Sequence, residues 1–405
     1  IAAADLAITA DRLNNDTGLI QGSAVDISTA LLNNNTGTIY QQGSAGQLSI
    51  SSGSLTNDAG QISALADANI NAGQLSNNTG RIESGSTLHL SGGALNNDSG
   101  NLVANNITTQ LTGALSNNQG TLFAADTLTI AADSIDNTLG TLATNADLQL
   151  TAVTALTNNQ GLLQAAGNLS ASAQQIDNSA GTIQAGAAQL NAQPSINNAA
   201  GVINAQTLAL STASLNNSYG VILATDTSDN SLQLTNITQL NNSNGTVASH
   251  GRNWDFTLAG LNNDNGKLLH LGSGTFTLSQ AGNLANTGTI ASNANLVINA
   301  GNVSNSGTLQ AQQQLQAVSA TADIEARLCL CHVLNVSNSY LYSYPERELN
   351  SAELAQLTEL LSARLQGQPL AYLFGYWHFF DLQLEVAPST LIPRPDTELL
   401  VEQAL

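Results

Sequence analysis

Very few residues of this chain are of types that do chemistry: only 9% of the 405 are charged, with Lys+Arg 8, Asp+Glu 28 and His 5. Three groupings stand out. His250, Arg252, Trp254 and Phe256 alternate with other residues and supply the one basic and large-aromatic cluster of the first three hundred residues, a candidate binding patch. The same residues also suit a bulky filling for a widened turn, and both readings stay open. Cys329 and Cys331 are the only cysteines. On one helix they do not face the same way, which points to core thiols rather than to metal ligands. The third grouping is a column of Asp16, Asn35, Asp58, Asn78, Asp98 and Asn118, recurring at about twenty-residue spacing. Stacked carboxylates ~5 Å apart would repel, and the alternation spaces them by ~10 Å with an amide donor between. A calcium ladder is the alternative, but the nine-residue acidic glycine repeat it needs is absent.

That column belongs to a repeat that must position everything else. Leu13-Asn14-Asn15-Asp16-Thr17-Gly18 returns as Leu32 to Gly37, Leu75 to Gly80, Leu115 to Gly120, Leu156 to Gly161 and Leu261 to Gly266. The corner glycines fall at 18, 37, 60, 80, 100, 120, 140, 161, 181, 201, 220, 245, 266, 288 and 307. A fixed period of this size implies a solenoid. Aliphatic residues stand five before the glycine in the first thirteen turns (Leu95, Leu115, Ile135) and two after it in all fifteen (Leu102, Leu122, Leu142), and a third stripe alternates with period two, as in Leu128/Ile130 and Leu148/Leu150. Three short strands per turn satisfy all three stripes, and stacking turns at ~4.8 Å buries them. The expectation is mainly β: a right-handed parallel β-helix over 1–320, on the order of 70 Å long. The leucine-rich repeat overlaps in period but wants a helix or arc after its Asn, where this chain has another strand pattern.

Asn stands three before the glycine in the first thirteen turns, from Asn15 to Asn263. It suits the left-handed backbone of a tight corner and can bond its copies above and below as a ladder. Turns fourteen and fifteen, Leu284 to Gly288 and Val303 to Gly307, are one residue short and lose the paired Asn. They predict a coil fraying by Gln312 and a following domain tethered rather than docked. The longest interval, Gly220 to Gly245, inserts Thr225-Asp226-Thr227-Ser228-Asp229-Asn230, which a solenoid accommodates as a surface loop.

Composition sets further limits. A formal charge of -20 excludes a phosphate-binding footprint, and hence nucleic acid or an anionic membrane. No run approaches ~18 apolar residues, so no membrane span is expected. The chain has no Met and opens on Ile1, as a piece of a longer product would. With no cysteine before Cys329, disulfides do not hold the repeats.

The repeated Leu-x-Asn-Asn-x-x-Gly-x-Ile/Leu units resemble those of filamentous haemagglutinin and related two-partner-secreted exoproteins of Gram-negative bacteria. The resemblance implies an extracellular or cell-surface adhesive fibre, with host-cell or neighbouring-cell surface molecules as partners. Past residue 320 the composition changes, with five of the six prolines and both cysteines in the last 83 residues. Asp323 to His332 and Ser351 to Leu365 have helical spacing, with Asn350 as N-cap; Tyr372 to Val386 alternates as strand, and Asp396 to Leu405 begins a further helix. The words Arg364-x-x-Gly367-x-Pro369-x-x-Tyr372-x-x-Gly375 and Leu391-Ile392-Pro393-Arg394-Pro395-Asp396-Thr397-Glu398 resemble the HemK-type release factor glutamine methyltransferases. That likeness implies a small, incomplete α-helical bundle over 323–370 and a β-hairpin linker with the first helix of a truncated catalytic domain over 371–405. It also implies Pro393, Arg394, Pro395 and Glu398 as the family motif near an active-site mouth. The family's substrate is a release-factor glutamine amide, and its cofactor is S-adenosylmethionine. Its glycine-rich cofactor loop and Asn-Pro-Pro-Tyr motif do not occur in these residues. No catalytic, cofactor or metal residue is therefore assigned, and methyltransferase activity, with a release factor as cytoplasmic partner, is expected only if the parent continues past Leu405. A natural fusion and an accident of rearrangement or assembly both stay open for the junction.

Overall fold

The computed structural model describes residues 3–319, 322–337, 340, 341, 344, 346–365, 368–379 and 382–392. The chain divides into two compact units, Ile1–Val318 and Ser319–Leu405.

The first unit is a parallel β-solenoid of about 16 turns. One turn shows how the sequence builds it. Thr121–Ala124 pairs in parallel with Asn101–Ala104 on one side and Thr141–Thr144 on the other. Leu128–Ala132 lies between Asn106–Leu111 and Leu148–Ala152, and Leu115–Ser116 between Leu95–Asn96 and Ile135–Asp136. Register is residue on residue, so Leu102, Leu122, Leu142 and Leu163 form one column. Because side chains alternate across a strand, each turn turns its aliphatic stripes inward: Leu115, Leu122, Leu128 and Ile130 are each 0% exposed. Each such side chain contributes about 2 kcal/mol relative to exposure.

The corner is a hydrogen-bonded turn in which the glycine N–H donates to the Asn carbonyl, 3.0 Å for Gly140 to Asn137. Positive φ lies at the residue before the glycine, of many types: Thr17, Ala59, Leu139, Ala180 and Tyr219 all have φ of 52–57°. The expectation that Asn itself takes the left-handed backbone is thus corrected. A turn with φ > 0 at its third residue is the type II pattern, and the position normally wants glycine. Here glycine is needed one residue later, because a Cβ on Gly140 would sit 2.1 Å from Asn117 O of the preceding turn and 2.6 Å from Asn137 Oδ1. Close stacking, not backbone freedom, fixes the repeated glycine.

The Asn side chains form the expected ladder. Each Nδ2 donates to Oδ1 of the next copy, Asn117 to Asn137 and Asn137 to Asn158 at 2.7 Å, and these two also donate to their own corner glycine carbonyls. The ladder runs on through the short turns: Asn263 donates to Asn286 at 3.0 Å and Asn286 to Asn305 at 2.8 Å. In those turns the Asn stands two, not three, before the glycine, and neither Thr287 nor Ser306 has positive φ. Losing one residue removes the left-handed position while the amide keeps its place. The coil accordingly does not fray by Gln312: Thr308–Ala311 pairs with Thr289–Ser292, and Leu315–Ser319 is still strand. Leu315 is 49% exposed, since among the described residues no further strand stacks on its own.

The second unit holds helices Ala322–Leu334, Ser351–Leu365 and Leu370–Phe374, then the antiparallel hairpin Tyr376–Phe379 and Leu382–Glu385. Asn350 caps the second of these helices, accepting from the N–H of Ala352 and Glu353 at 3.0 Å, while Glu353 Oε2 accepts from the Asn350 N–H at 2.9 Å. This reciprocal arrangement is a capping box. The strand expected from Tyr372 begins only at Tyr376. Pro369 supplies an extended N-cap, Leu370 and Ala371 bury themselves, and Gly375 closes the short helix at φ 76°. The helix expected from Asp396 lies outside the described residues.

Candidate recognition site on the solenoid

The inserted residues 225–230 form a loop anchored to the coil. Thr225 and Asp226 donate their N–H groups to Ala205 and Gln206 carbonyls at 3.0 and 2.9 Å, and the Arg252 N–H donates to Thr227 O at 3.1 Å. The Arg252 guanidinium clasps Asp229, with Nε donating to Oδ1 at 3.0 Å and Nη2 to Oδ2. Asn253 Nδ2 adds a third bond to Asp229 Oδ1 at 2.8 Å. Those donors, Arg252 first, hold the Asp229 carboxyl below the usual carboxylate range. A Ser228 hydrogen bond does the same for Asp226.

The four residues singled out in the sequence do not make one surface. Trp254–Leu258 is a strand whose alternate residues point inward, so Trp254 and Phe256 are 0% and 5% exposed. Trp254 stacks on Phe276 at 4.5 Å between centroids, and Phe256 lies 4.9 Å from Trp254. Arg252 faces outward and spends its charge on Asp229, while His250 is half-buried. Beneath the aromatic layer His270 is buried, with Nδ1 2.8 Å from Ser292 Oγ and Nε2 2.9 Å from Gly251 O. These large side chains fill the turn next to the insertion. There the backbone pairing of this one face breaks, while the Asn ladder runs on through Asn217, Asn242 and Asn263: Leu232–Thr235 ends the long sheet on its face, and Trp254–Leu258 starts a separate four-stranded one.

Beside the break lies a groove of about 420 Å³ that sequence reasoning missed. Asn168, Ser170, Gln189, Thr207, Ala209 and Gln233 line it across four turns, with Asn230 of the inserted loop as its wall. Its signal was weak, because outward Ser, Ala, Thr and Gln look the same on every face of a solenoid. None of these lining side chains is charged, so the groove suits a neutral polar chain. The Asp/Asn column is also resolved. Asp58 Oδ1 accepts from the Asn78 N–H at 3.0 Å and from Ser76 Oγ at 2.6 Å, and Asp98 repeats this with Asn118 and Ser116. Backbone N–H groups and serines, rather than the interposed side-chain amides, satisfy Asp58 and Asp98, and Thr36 Oγ1 donates to Asp16 Oδ1 at 3.0 Å.

In the second unit Glu325 accepts two hydrogen bonds from Arg364, both at 2.9 Å. Cys329 is buried and Cys331 half-buried, and burial pushes both thiols up, so neither is a ready nucleophile. His332 stacks on Phe374 at 4.4 Å, and burial pulls its pKa down. Among the described residues there is no cluster of three potential metal ligands, and no helix is long and apolar enough to cross a membrane. Pro393, Arg394, Pro395 and Glu398 lie outside the described residues.

Comparison with known proteins separates the same two regions. The haemagglutinin repeat family profile matches residues 1–44, 43–119, 99–159, 153–193, 185–252 and 271–327. The PrmC N-terminal domain profile matches 309–375. Among curated proteins, the release factor glutamine methyltransferase of Aliivibrio fischeri is 49% identical over 87 residues, 22% of this chain and 31% of that one. Those of Vibrio cholerae and Escherichia coli K12 are 48% identical over 94 residues and 45% over 92, each alignment taking 23% of this chain and 33% of the relative. The chain thus spans about a third of the length of the curated relatives it matches. No solved structure matches it significantly.

Proposed function

The chain belongs to the haemagglutinin repeat family, and from that premise we propose that residues 3–319 are a fibre segment of a bacterial surface exoprotein that holds host-cell or neighbouring-cell surface molecules. The observation that carries this reading is the unbroken Asn ladder from Asn15 to Asn305, which makes a long, self-supporting display surface without one disulfide. The uncharged groove beside the inserted loop is where a neutral polar molecule, such as a glycan chain, would rest. The test is retention of the purified chain on target cells, with Ala209→Trp filling the groove from an outward, half-buried position. Retention by the parent chain and its loss in the variant support the reading. Absence of retention by the parent refutes adhesion, and equal retention refutes the groove.

A second reading rests on the 45–49% identity of the C-terminal region to release factor glutamine methyltransferases. In it the chain is part of a longer cytoplasmic enzyme that uses S-adenosylmethionine on a release factor. Sequencing the parent gene across residue 320 and past Leu405 discriminates the two.

A further inference from the structure

The floor of the groove is made by paired strands whose outward residues stack in register, Ser170 on Gln189, Gln189 on Ala209 and Ala209 on Gln233. Its wall is held differently. Asn230 stands there at φ 57°, a left-handed backbone that a strand does not supply, between Asp229 and the buried Ser231. The pins come from the turns beyond it. The Thr275 N–H donates to Asn253 Oδ1 at 2.9 Å, which turns Asn253 Nδ2 toward Asp229 Oδ1 at 2.8 Å. The Arg252 carbonyl accepts from the Gly274 N–H at 2.8 Å, and His270 Nε2 lies 2.9 Å from Gly251 O and 3.0 Å from Arg252 O. Gly251 permits the close approach, since a Cβ on it would stand 2.7 Å from Ser231 Oγ. With its backbone held in this way, Arg252 aims two guanidinium nitrogens at the two oxygens of Asp229. Such a fork fixes direction as well as distance.

We propose that Arg252 is a positioning residue of the groove: through its fork on Asp229 it sets Asn230 in place as the wall before any ligand arrives. This role rests on the reading of the groove as a binding site. Arg252 does not line the groove, so it acts on the wall and not on the bound molecule. Holding the loop beforehand removes the ordering cost that binding would otherwise meet. The fork also cancels the Asp229 charge next to a groove whose lining side chains are uncharged, which keeps the site suited to a neutral ligand.

Retention of the full chain on the same target cells tests the role. Arg252→Ala should weaken retention about fivefold, the effect of losing one well-formed exposed pair. Asn230→Gly keeps the left-handed backbone, removes the side chain and should weaken retention at least as much. Adding Arg252→Ala to Asn230→Gly should take nothing further away, because the wall it positions is already gone. Hydrogen exchange of the chain without cells gives a second reading. In Arg252→Ala the amides of residues 230 and 252, which donate to Asn253 O and Thr227 O, should exchange about fivefold faster. The Leu208 amide, which donates to Ser231 O at 2.7 Å, should keep its protection. Arg81→Ala, which breaks the exposed pair with Glu83 outside the groove, should change none of these. A parent chain that the cells do not retain, or that Ala209→Trp leaves retained, refutes the groove and this role with it. Retention lost in Ala209→Trp but equal to the parent in Arg252→Ala refutes the role alone. So do losses that multiply in the double variant, or weaker retention with unchanged exchange, which would place Arg252 on the ligand itself.

Discussion

Replacing Asn137 with Ala removes one rung from the middle of the ladder. Its amide is 0% exposed and donates to Gly140 O at 3.1 Å, Asn158 Oδ1 at 2.7 Å and Leu162 O at 3.1 Å, while its Oδ1 accepts from Asn117 at 2.7 Å. The Asn117 amide keeps the carbonyls of Gly120 and Thr141, so its loss is partial. Asn158 Oδ1 keeps no other hydrogen bond and is stranded in the interior. An orphaned buried acceptor costs about 1–3 kcal/mol, and the remaining net bonds add about 1 kcal/mol, for a total near 3 kcal/mol. Each turn is held by its neighbours, so the damage stays local and is best read by native-state hydrogen exchange. The amides of Gly140 and Gly161 should exchange about 100-fold faster, since each 1.4 kcal/mol is a factor of ten. Asn305→Ala is the control: this amide is exposed, and Asn286 keeps Gly288 O and Thr308 O without it. Its effect should stay under about 1 kcal/mol. Equal acceleration in both variants, or less than about threefold in Asn137→Ala, refutes the claim that buried amide rungs hold the turns together.

Leu115→Asp puts an unpaired charge at a position that is 0% exposed and should cost several kcal/mol, on the order of 3 or more, seen as a lower urea midpoint. The second unit should be less stable in acid. Burial depresses the pKa of His332, so the unfolded chain takes up the proton first, and stability falls as pH drops below about 6.5. Helical circular dichroism on heating should show a lower midpoint at about pH 5.5 than at about pH 7.5, with His332→Phe narrowing the gap; a gap of the same size in that variant contradicts the assignment. Calorimetry of the 405-residue chain with S-adenosylmethionine should give no heat, because the βαβ loop that cradles such a cofactor is not in these residues. Micromolar binding would show a site built from other groups.

The solenoid was legible because its signal is repeated: columns of Leu and Ile five before and two after each glycine decide which side of every strand is buried. The ladder was legible for the same reason, but not its continuation through Asn286 and Asn305, where deleting one residue shifts the Asn in sequence and leaves its place in the stack. The left-handed residue was misplaced because type preferences pointed to Asn, while the constraint is the approach of Gly to a carbonyl one turn away, a contact between residues about twenty apart. Trp254 and Phe256 looked like a binding pair because aromatics are rare here; strand alternation sends both inward. The groove was illegible, since its depth comes from the inserted loop standing beside four otherwise ordinary turns. In the tail, Tyr372 to Phe374 read as the start of the strand pattern that runs to Val386, yet Pro369 and Gly375 bracket them as one helical turn.

The surface-fibre account stands or falls on where the repeats are. Antibodies raised against residues 3–319 should label intact, unpermeabilised cells that produce the parent protein, and brief protease treatment of those cells should remove the label. Label that appears only after the cells are broken open, and that survives external protease, would place the repeats inside and contradict the account.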